Sequence, residues 1–247
     1  MPPKLSFLDR PFLLPAAVLA LGFMLAAMIG SYTFYLVRSL DNTISVTGSA
    51  TKTVSADHAK WRIDVSRNAT QSGLSDAYSS VAADMRELKK YLSEQGIPEG
   101  STSVNAVSAN QDYSYNNDAN APKRYVVIQT LTIDSDDVQK VAAISQSISS
   151  LVGRGVLVFP QQPEYYVSDL SSIRVALLGE AIADARARAG QLVKDSGSSV
   201  GKLKSAASGV VQVLAPNSTN VEDYGSYDTS TIEKQIMVTA RATFLVR

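Results

Sequence analysis

The sequence predicts an α+β fold in which antiparallel sheets are backed by helices, built from two helix-plus-β-hairpin units and preceded by one N-terminal transmembrane helix. Three observations lead there. Residues 11–37 carry no charged side chain. Several later segments alternate apolar and polar residues with period two, while two long ones repeat apolar residues at i, i+3, i+4 and i+7. The order helix, glycine, strand, polar loop, strand then occurs twice, about a hundred residues apart.

As a helix rising 1.5 Å per residue, the uncharged run is roughly 40 Å long, enough to cross a hydrocarbon layer about 30 Å thick with some tilt. Pro11 and Pro15 fall in its first turns, where proline is tolerated, and Tyr32 and Tyr35 sit near its far end as interfacial aromatics do. A cleavable signal has an apolar core of about 7–15 residues before a small-residue cleavage site. Ala26-Ala27 imitates such a site, but the run continues through Phe34, Tyr35 and Leu36, so the reading is an uncleaved anchor. A buried core helix fits less well, because a globular helix keeps a polar face. Lys4 and Arg10 precede the span, whereas Arg38 and Asp41 follow it. By the positive-inside rule residues 1–10 are a cytoplasmic tail, 11–38 the transmembrane helix and 39–247 a domain outside the cytoplasm.

Composition narrows the chemistry. With 23 basic and 23 acidic residues the chain has no field to hold nucleic acid by counterion release. It contains no cysteine, which removes disulfides, thiolate nucleophiles and cysteine metal sites together. A single histidine, His58, leaves little room for a zinc site or a Ser/His/Asp triad.

The elements follow in order. Residues 43–54 alternate, with Ile44, Val46, Gly48 and Ala50 on one side. Residues 60–66 repeat the pattern with Trp61, Ile63 and Val65 inward, and the short link 55–58 makes the two strands expected antiparallel neighbours, a leading pair over 43–70. From Ser72 a helical period runs through Leu74, Ala77, Tyr78, Val81, Met85, Leu88 and Leu92 and ends at Gly96, with Pro98 beyond. Strands are expected at 103–109 and 123–133, the second with Tyr125, Val127, Leu131 and Ile133 on one face, joined by the polar loop 110–122. Asp134, Ser135, Asp136 and Asp137 supply cap candidates for a helix through Val138, Val141, Ala142, Ile144, Ile148 and Leu151 that stops at Gly153. A short strand is expected at 156–159. The second long helix spans about 171–196, offers Ala176, Leu177, Ile182, Ala185, Ala189, Leu192 and Val193 for packing, and closes at Gly197. Strands at 203–214 and 232–246 end the chain, with Ile236, Val238, Ala240, Ala242, Phe244 and Val246 on one face of the last. The two α-β-β units, about 72–134 and 171–247, align Val81 with Ile182, Leu92 with Val193 and Gly96 with Gly197, as an internal duplication would. One such unit buries its sheet poorly, so the two are expected to share a core.

The residues Ile44-Ser-Val46-Thr-Gly48, Val54-Ser-Ala56-Asp57-His-Ala59, Leu92-Ser-Glu-Gln-Gly96-Ile97 and Asp184-Ala-Arg186-Ala-Arg-Ala189, then Leu192, Gly197 and Val200-Gly201-Lys202-Leu203, resemble the SIMPL-domain family of bacterial periplasmic and surface proteins. Ala56 stands where that family often has proline. The resemblance covers the chain from about Thr43 onward and implies a duplicated helix-plus-hairpin fold, a periplasmic address on the inner membrane, ring-like or channel-like assembly, and a link to oxidative stress. It implies no catalytic motif.

Candidate sites divide into weak and stronger ones. His58 beside Asp57 lacks evident partners and reads as an exposed turn residue. Asp112, Asn116, Asn117 and Asp118 lack EF-hand spacing and read as a hairpin tip. Asp134 to Asp137 have a structural reason at a helix start. Asp184 with Arg188, and Glu87 with Lys90, read as solvated-face pairs; Asn68-Ala-Thr70 and Asn217-Ser-Thr219 match the glycosylation sequon as short motifs often do. Tyr113, Tyr115, Tyr165, Tyr166, Tyr224 and Tyr227 place aromatics on polar segments and are the candidate oligomer contacts. The edges of long strands such as 232–246 also need covering. Together these predict a non-enzymatic, membrane-anchored scaffold that self-assembles into a homo-oligomeric ring or cage, needing no cofactor or metal, with the bilayer and further copies of itself as partners. The alternative is a periplasmic stress-response binding protein acting on a small ligand or client protein, which requires an apolar pocket with a few polar groups.

Overall fold

The computed structural model of the protein describes residues 13–39, 42–113, 122–219 and 222–247. In chain order the elements are helix α1 (Leu13–Ser39), strands β1 (Thr43–Ser55) and β2 (His58–Thr70), helix α2 (Leu74–Glu94), strands β3 (Thr102–Val104), β4 (Ser108–Asp112) and β5 (Arg124–Ser135), helix α3 (Val138–Ser147), strands β6 (Val158–Pro160) and β7 (Glu164–Tyr166), helix α4 (Leu170–Val193), and strands β8 (Val200–Leu214) and β9 (Glu233–Val246). One sheet has the order β1-β9-β8; the other runs β3-β5-β2-β6, with β4 also on β5 and β7 also on β2. Each sheet puts the last strand of a helix-strand-strand sequence between its hairpin partner and one leading strand.

The leading strands were expected to pair with each other, and they do not. β1 lies beside β9 and β2 beside β5. The link between them is held across, not as a hairpin turn: Ala56 N–H donates to Ile232 O at 2.8 Å and Asp57 N–H to Tyr166 O at 3.0 Å. Asp57 Oδ1 also accepts from Ser168 N and Oγ. The expectation of an exposed edge along residues 232–246 fails for a related reason, because β9 is the central strand of its sheet and β8 is an edge.

Leu14–Arg38 of α1 is long and apolar enough to cross a membrane, and none of it is buried against protein. The described residues divide into two compact units, one drawing on those up to Ser49, on Gly179–Gly209 and on Thr239–Arg247, the other on Ala50–Leu178 and Val210–Val238.

The second unit holds the larger core. Trp61, Ile63 and Val65 of β2 have no exposed surface and run antiparallel to β5 with Trp61 opposite Ile133 and Ile63 opposite Leu131. Val81, Met85, Leu88 and Leu92 of α2 and Val141 and Ile144 of α3, with Ile148 and Leu151 beyond it, complete this cluster; Tyr78 stays 40% exposed. The one acidic residue buried in α2, Asp84, is neutralised by Arg67, whose Nε lies 2.7 Å and Nη2 2.6 Å from Oδ2, as a buried carboxylate requires. Gly96 ends α2 with φ of +80°, a conformation that favours glycine. Asp137 caps α3 by accepting from Lys140 N–H at 3.1 Å.

Several boundaries moved. The single strand expected at 103–109 is two, β3 and β4, because Asn105 turns its N–H to Thr130 O and its carbonyl to Gln129 Nε2. The third helix continues as a 3-10 stretch, Ile148–Arg154, and stops at Gly155, φ +79°, not at Gly153. The strand expected at 156–159 is β6, shifted toward Pro160, and the neighbouring β7 was not expected at all.

The first unit packs small side chains. Ala185 and Ala189 of α4 meet Ala242 and Phe244 of β9, flanked by Ile44, Val46 and Val200. The buried stripe of α4 returns every fourth residue, at Leu177, Ala181, Ala185, Ala189 and Val193. Leu192, expected to pack, is 67% exposed, and Ala176 is exposed as well. A Cβ on Gly48 would lie 2.1 Å from Ala181 O and 2.4 Å from Ala185 N, so only glycine lets β1 approach the helix backbone this closely.

Candidate functional site

The six tyrosines do not share one environment. Tyr165 is 6% exposed, its N–H donating to Thr229 O at 2.8 Å, and burial raises its phenol above the ordinary value. Tyr166 lies on Tyr227 with centroids 5.9 Å apart and donates to Glu164 Oε2 at 2.9 Å; burial, then that carboxylate, raise it too. The Tyr227 hydroxyl accepts from Val167 N–H at 2.9 Å. Tyr113 and Tyr224 present their rings to solvent, 81% and 98% exposed. Tyr115 lies outside the described residues, as do Asn116, Asn117 and Asp118.

Tyr227 belongs to a segment that covers one end of β8. Val213 N–H donates to Ser226 O and Asp228 N–H to Val213 O, both at 2.8 Å, a parallel bridge between Val213 and Tyr227. Two buried polar side chains hold this strap. Gln212, 1% exposed, accepts at Oε1 from Ser226 N and Oγ at 2.9 Å and donates from Nε2 to Glu222 O. Lys234 has no exposed surface and donates from Nζ to Asp228 O and to Asp228 Oδ1, 3.2 Å away. Asp228 also accepts from Thr231 N and Oγ1 and from Ser230 Oγ. Burial alone would raise the Asp228 carboxyl, but the hydrogen bonds of Thr231, Ser230 and Lys234 outweigh it and bring it down to about 2. Burial lowers the Lys234 ammonium, against the pull of Asp228.

The other end of β8 has no such cover among the described residues. Residues 202–208 are exposed on both faces of the strand, and β8 has β9 as its sheet neighbour on one side only. A strand left this way shows a row of backbone N–H and C=O groups that pair readily with another strand. The opposite edge, β1, is partly occupied: Ser49 N–H donates to Asp184 Oδ2 at 2.9 Å, and Asp184 is held by Arg188 Nε at 2.8 Å. The Ser49 amide, then the guanidinium, lower the Asp184 carboxyl. The pair at 184 and 188 thus caps a strand edge, more than the solvated pair expected, whereas no ion pair joins Glu87 to Lys90.

His58 was expected to lack partners and has two. Its Nδ1 is 2.9 Å from Asp136 Oδ1 and its Nε2 3.1 Å from Asp134 Oδ1. Two carboxylates on two ring nitrogens favour the imidazolium, and the hydrogen bond to Asp136 is the largest cause of its raised pKa, against a smaller effect of burial. The register explains the meeting: Lys60 stands opposite Asp134, so continuing the register past Ala59 and Ser135 sets His58 opposite Asp136, with Asp134 diagonally across on the same sheet face. Among the described residues no group of three or more His, Asp or Glu is placed to hold a metal ion.

Lys234 was missed although the sequence carried a sign of it. It shares the parity of Ile236 and Val238, so the inward face of β9 begins with a lysine, and Asp228 to Thr231 just upstream supplies its acceptors. Reading it required continuing the alternation one step toward the N-terminus.

One family model covers most of the chain. Residues 44–244 match SIMPL, described as a protein of unknown function (DUF541). The chain belongs to the SIMPL family. SIMPL proteins are generally extracytoplasmic, in keeping with an N-terminal helix able to serve as membrane anchor or signal sequence. No curated protein matches the chain.

Proposed function

We propose that this SIMPL protein is a single-pass inner-membrane protein, N-terminus in the cytoplasm and bulk in the periplasm, that assembles with copies of itself into a closed ring or cage with a structural, channel-like or scaffolding role and no catalysis. The observation that carries this reading is the edge of β8 at residues 202–208, exposed on both faces and with no second strand beside it among the described residues. Tethering raises the local concentration of identical edges on one leaflet, so that weak edge contacts become effectively intramolecular. Identical subunits with complementary edges close into point-group symmetry. Tyr113 and Tyr224, both largely exposed, supply a second contact by which dimers would join into a larger ring.

Light scattering on the detergent-solubilised full chain tests the reading. It predicts a particle several times the 26.4 kDa chain; a monomer at micromolar concentration contradicts it. The alternative of a stress-response protein binding a small ligand gains little from the cavities. A groove of about 210 Å³ beside α2 is lined by Lys89, Lys90, Leu92, Ser93, Ile97, Glu99 and Thr102, a charged surface cleft unlike the apolar pocket such a ligand needs.

A further inference from the structure

We infer that the strand completing the β8 edge is β8 of a second copy, paired antiparallel about a two-fold axis near Ser205. This rests on the self-assembly proposed above and names its contact surface.

The stretch from Gly201 to Gly209 reads Gly-Lys-Leu-Lys-Ser-Ala-Ala-Ser-Gly. Its bulky residues, Lys202, Leu203 and Lys204, all precede Ser205, and only small ones follow it. Run against itself with Ser205 opposite Ser205, it sets Leu203 against Ala207, Lys204 against Ala206, Lys202 against Ser208 and Gly201 against Gly209. Every large side chain then meets a small one on the same face, and no lysine stands opposite a lysine. Directly opposed like charges destabilise a strand pair, whereas size-matched neighbours stabilise it. Parallel pairing in register would do the reverse, placing Lys202 and Lys204 beside their own copies. At about 3.3 Å per residue the paired stretch is roughly 30 Å long, comparable to a long strand of an ordinary sheet.

The chain itself shows that this edge accepts backbone pairing. Ser226 to Asp228 already pair with it at Val213, and the proposed contact continues the same edge beyond the strap. The main-chain hydrogen bonds give the affinity and the side-chain sizes give the register, as in other strand additions. One such isologous contact yields a dimer, and a larger ring needs a second contact elsewhere.

Because the chain has no cysteine, single cysteines report the contact without background. The full chain is reconstituted in lipid vesicles as Ser205→Cys, as Leu203→Cys, as Ala207→Cys, and as a mixture of the last two; Ser172→Cys, exposed on α4, is the control. Oxidation is expected to give disulfide dimers with Ser205→Cys and with the mixture, roughly tenfold more than with the control or with Leu203→Cys or Ala207→Cys alone, since opposed Cα atoms in an antiparallel pair lie within disulfide range. Crosslinking of Leu203→Cys alone but not of the mixture overturns the antiparallel register. An assembly seen by light scattering in which neither Ser205→Cys nor the mixture exceeds the control overturns this interface and leaves self-assembly standing. A monomer throughout overturns both.

Discussion

The core around β2 and β5 and the layer between α4 and β1 solve the same problem by opposite means. The first buries bulk: Trp61, Ile63, Leu88 and Leu131 interlock with no exposed surface, and Trp61 Nε1 still finds Gln161 O at 2.7 Å. The second removes bulk, so that Gly48 lies against the backbone of Ala181 and Ala185 and a carboxylate reaches the strand's own N–H. Stability in the first comes from apolar area and in the second from close approach. The two should therefore respond oppositely to a change of size.

The largest effect is expected in the bulky core. Trp61→Ala, which deletes the indole and its hydrogen bond, should cost about 4 kcal/mol in chemical denaturation, while Trp61→Phe should cost clearly less. In the small-residue layer one methyl is enough: Gly48→Ala should cost about 3 kcal/mol, because the added carbon meets backbone that cannot swing aside. If Gly48→Ala proves neutral, the contrast between the regions collapses.

Lys234→Ala is expected to cost about 3 kcal/mol as well, through a cavity and the loss of an anchor for the strap. Lys234→Met, which keeps the volume and removes the buried charge, should cost less than half as much. The Asp228 carboxyl, held at about 2 against 3.8 in the unfolded chain, adds stability that is complete above about pH 4 and is lost as pH falls through about 2. Asp228→Asn should flatten the acid limb of a melting-temperature profile over that range.

Asp184→Ala should lower the melting temperature slightly and speed amide exchange at Ser49, whose N–H loses its acceptor. The smallest effect concerns His58. Its folded pKa is raised above 6.5, so the clamp contributes fully below about pH 6.5 and its contribution fades as pH rises through the raised value. His58→Gln should abolish a small decline in melting temperature above neutrality and leave the acid side unchanged.

What the sequence disclosed was whatever is written locally. The faces of β2, β5 and β9, the apolar stripe of α2 and the glycine stops at Gly96 and Gly197 follow from period and backbone freedom, which neighbouring residues encode. Strand neighbours are not written that way. The link at residues 55–58 is short enough for a hairpin, yet Ile232 and Tyr166, far along the chain, claim its amides. The same non-locality hid the two acidic partners of His58. α4 misled for another reason: its alanines pack by their smallness, so Ala181 mattered more than the larger Leu192. Lys234 alone was legible and unread, because a charged residue at an inward position breaks the usual rule of burial.

The central claim, that the edge of β8 at residues 202–208 pairs with another copy, is tested most directly by hydrogen–deuterium exchange on the full chain in lipid. Without a partner, about half the amides of an edge strand face water and exchange fast. The account predicts that peptides spanning residues 202–208 exchange as slowly as the amide of Val213, already bonded to Ser226, and lose that protection when the chain is diluted to monomers in detergent. Fast exchange over 202–208 in lipid, with Val213 still protected, would contradict it.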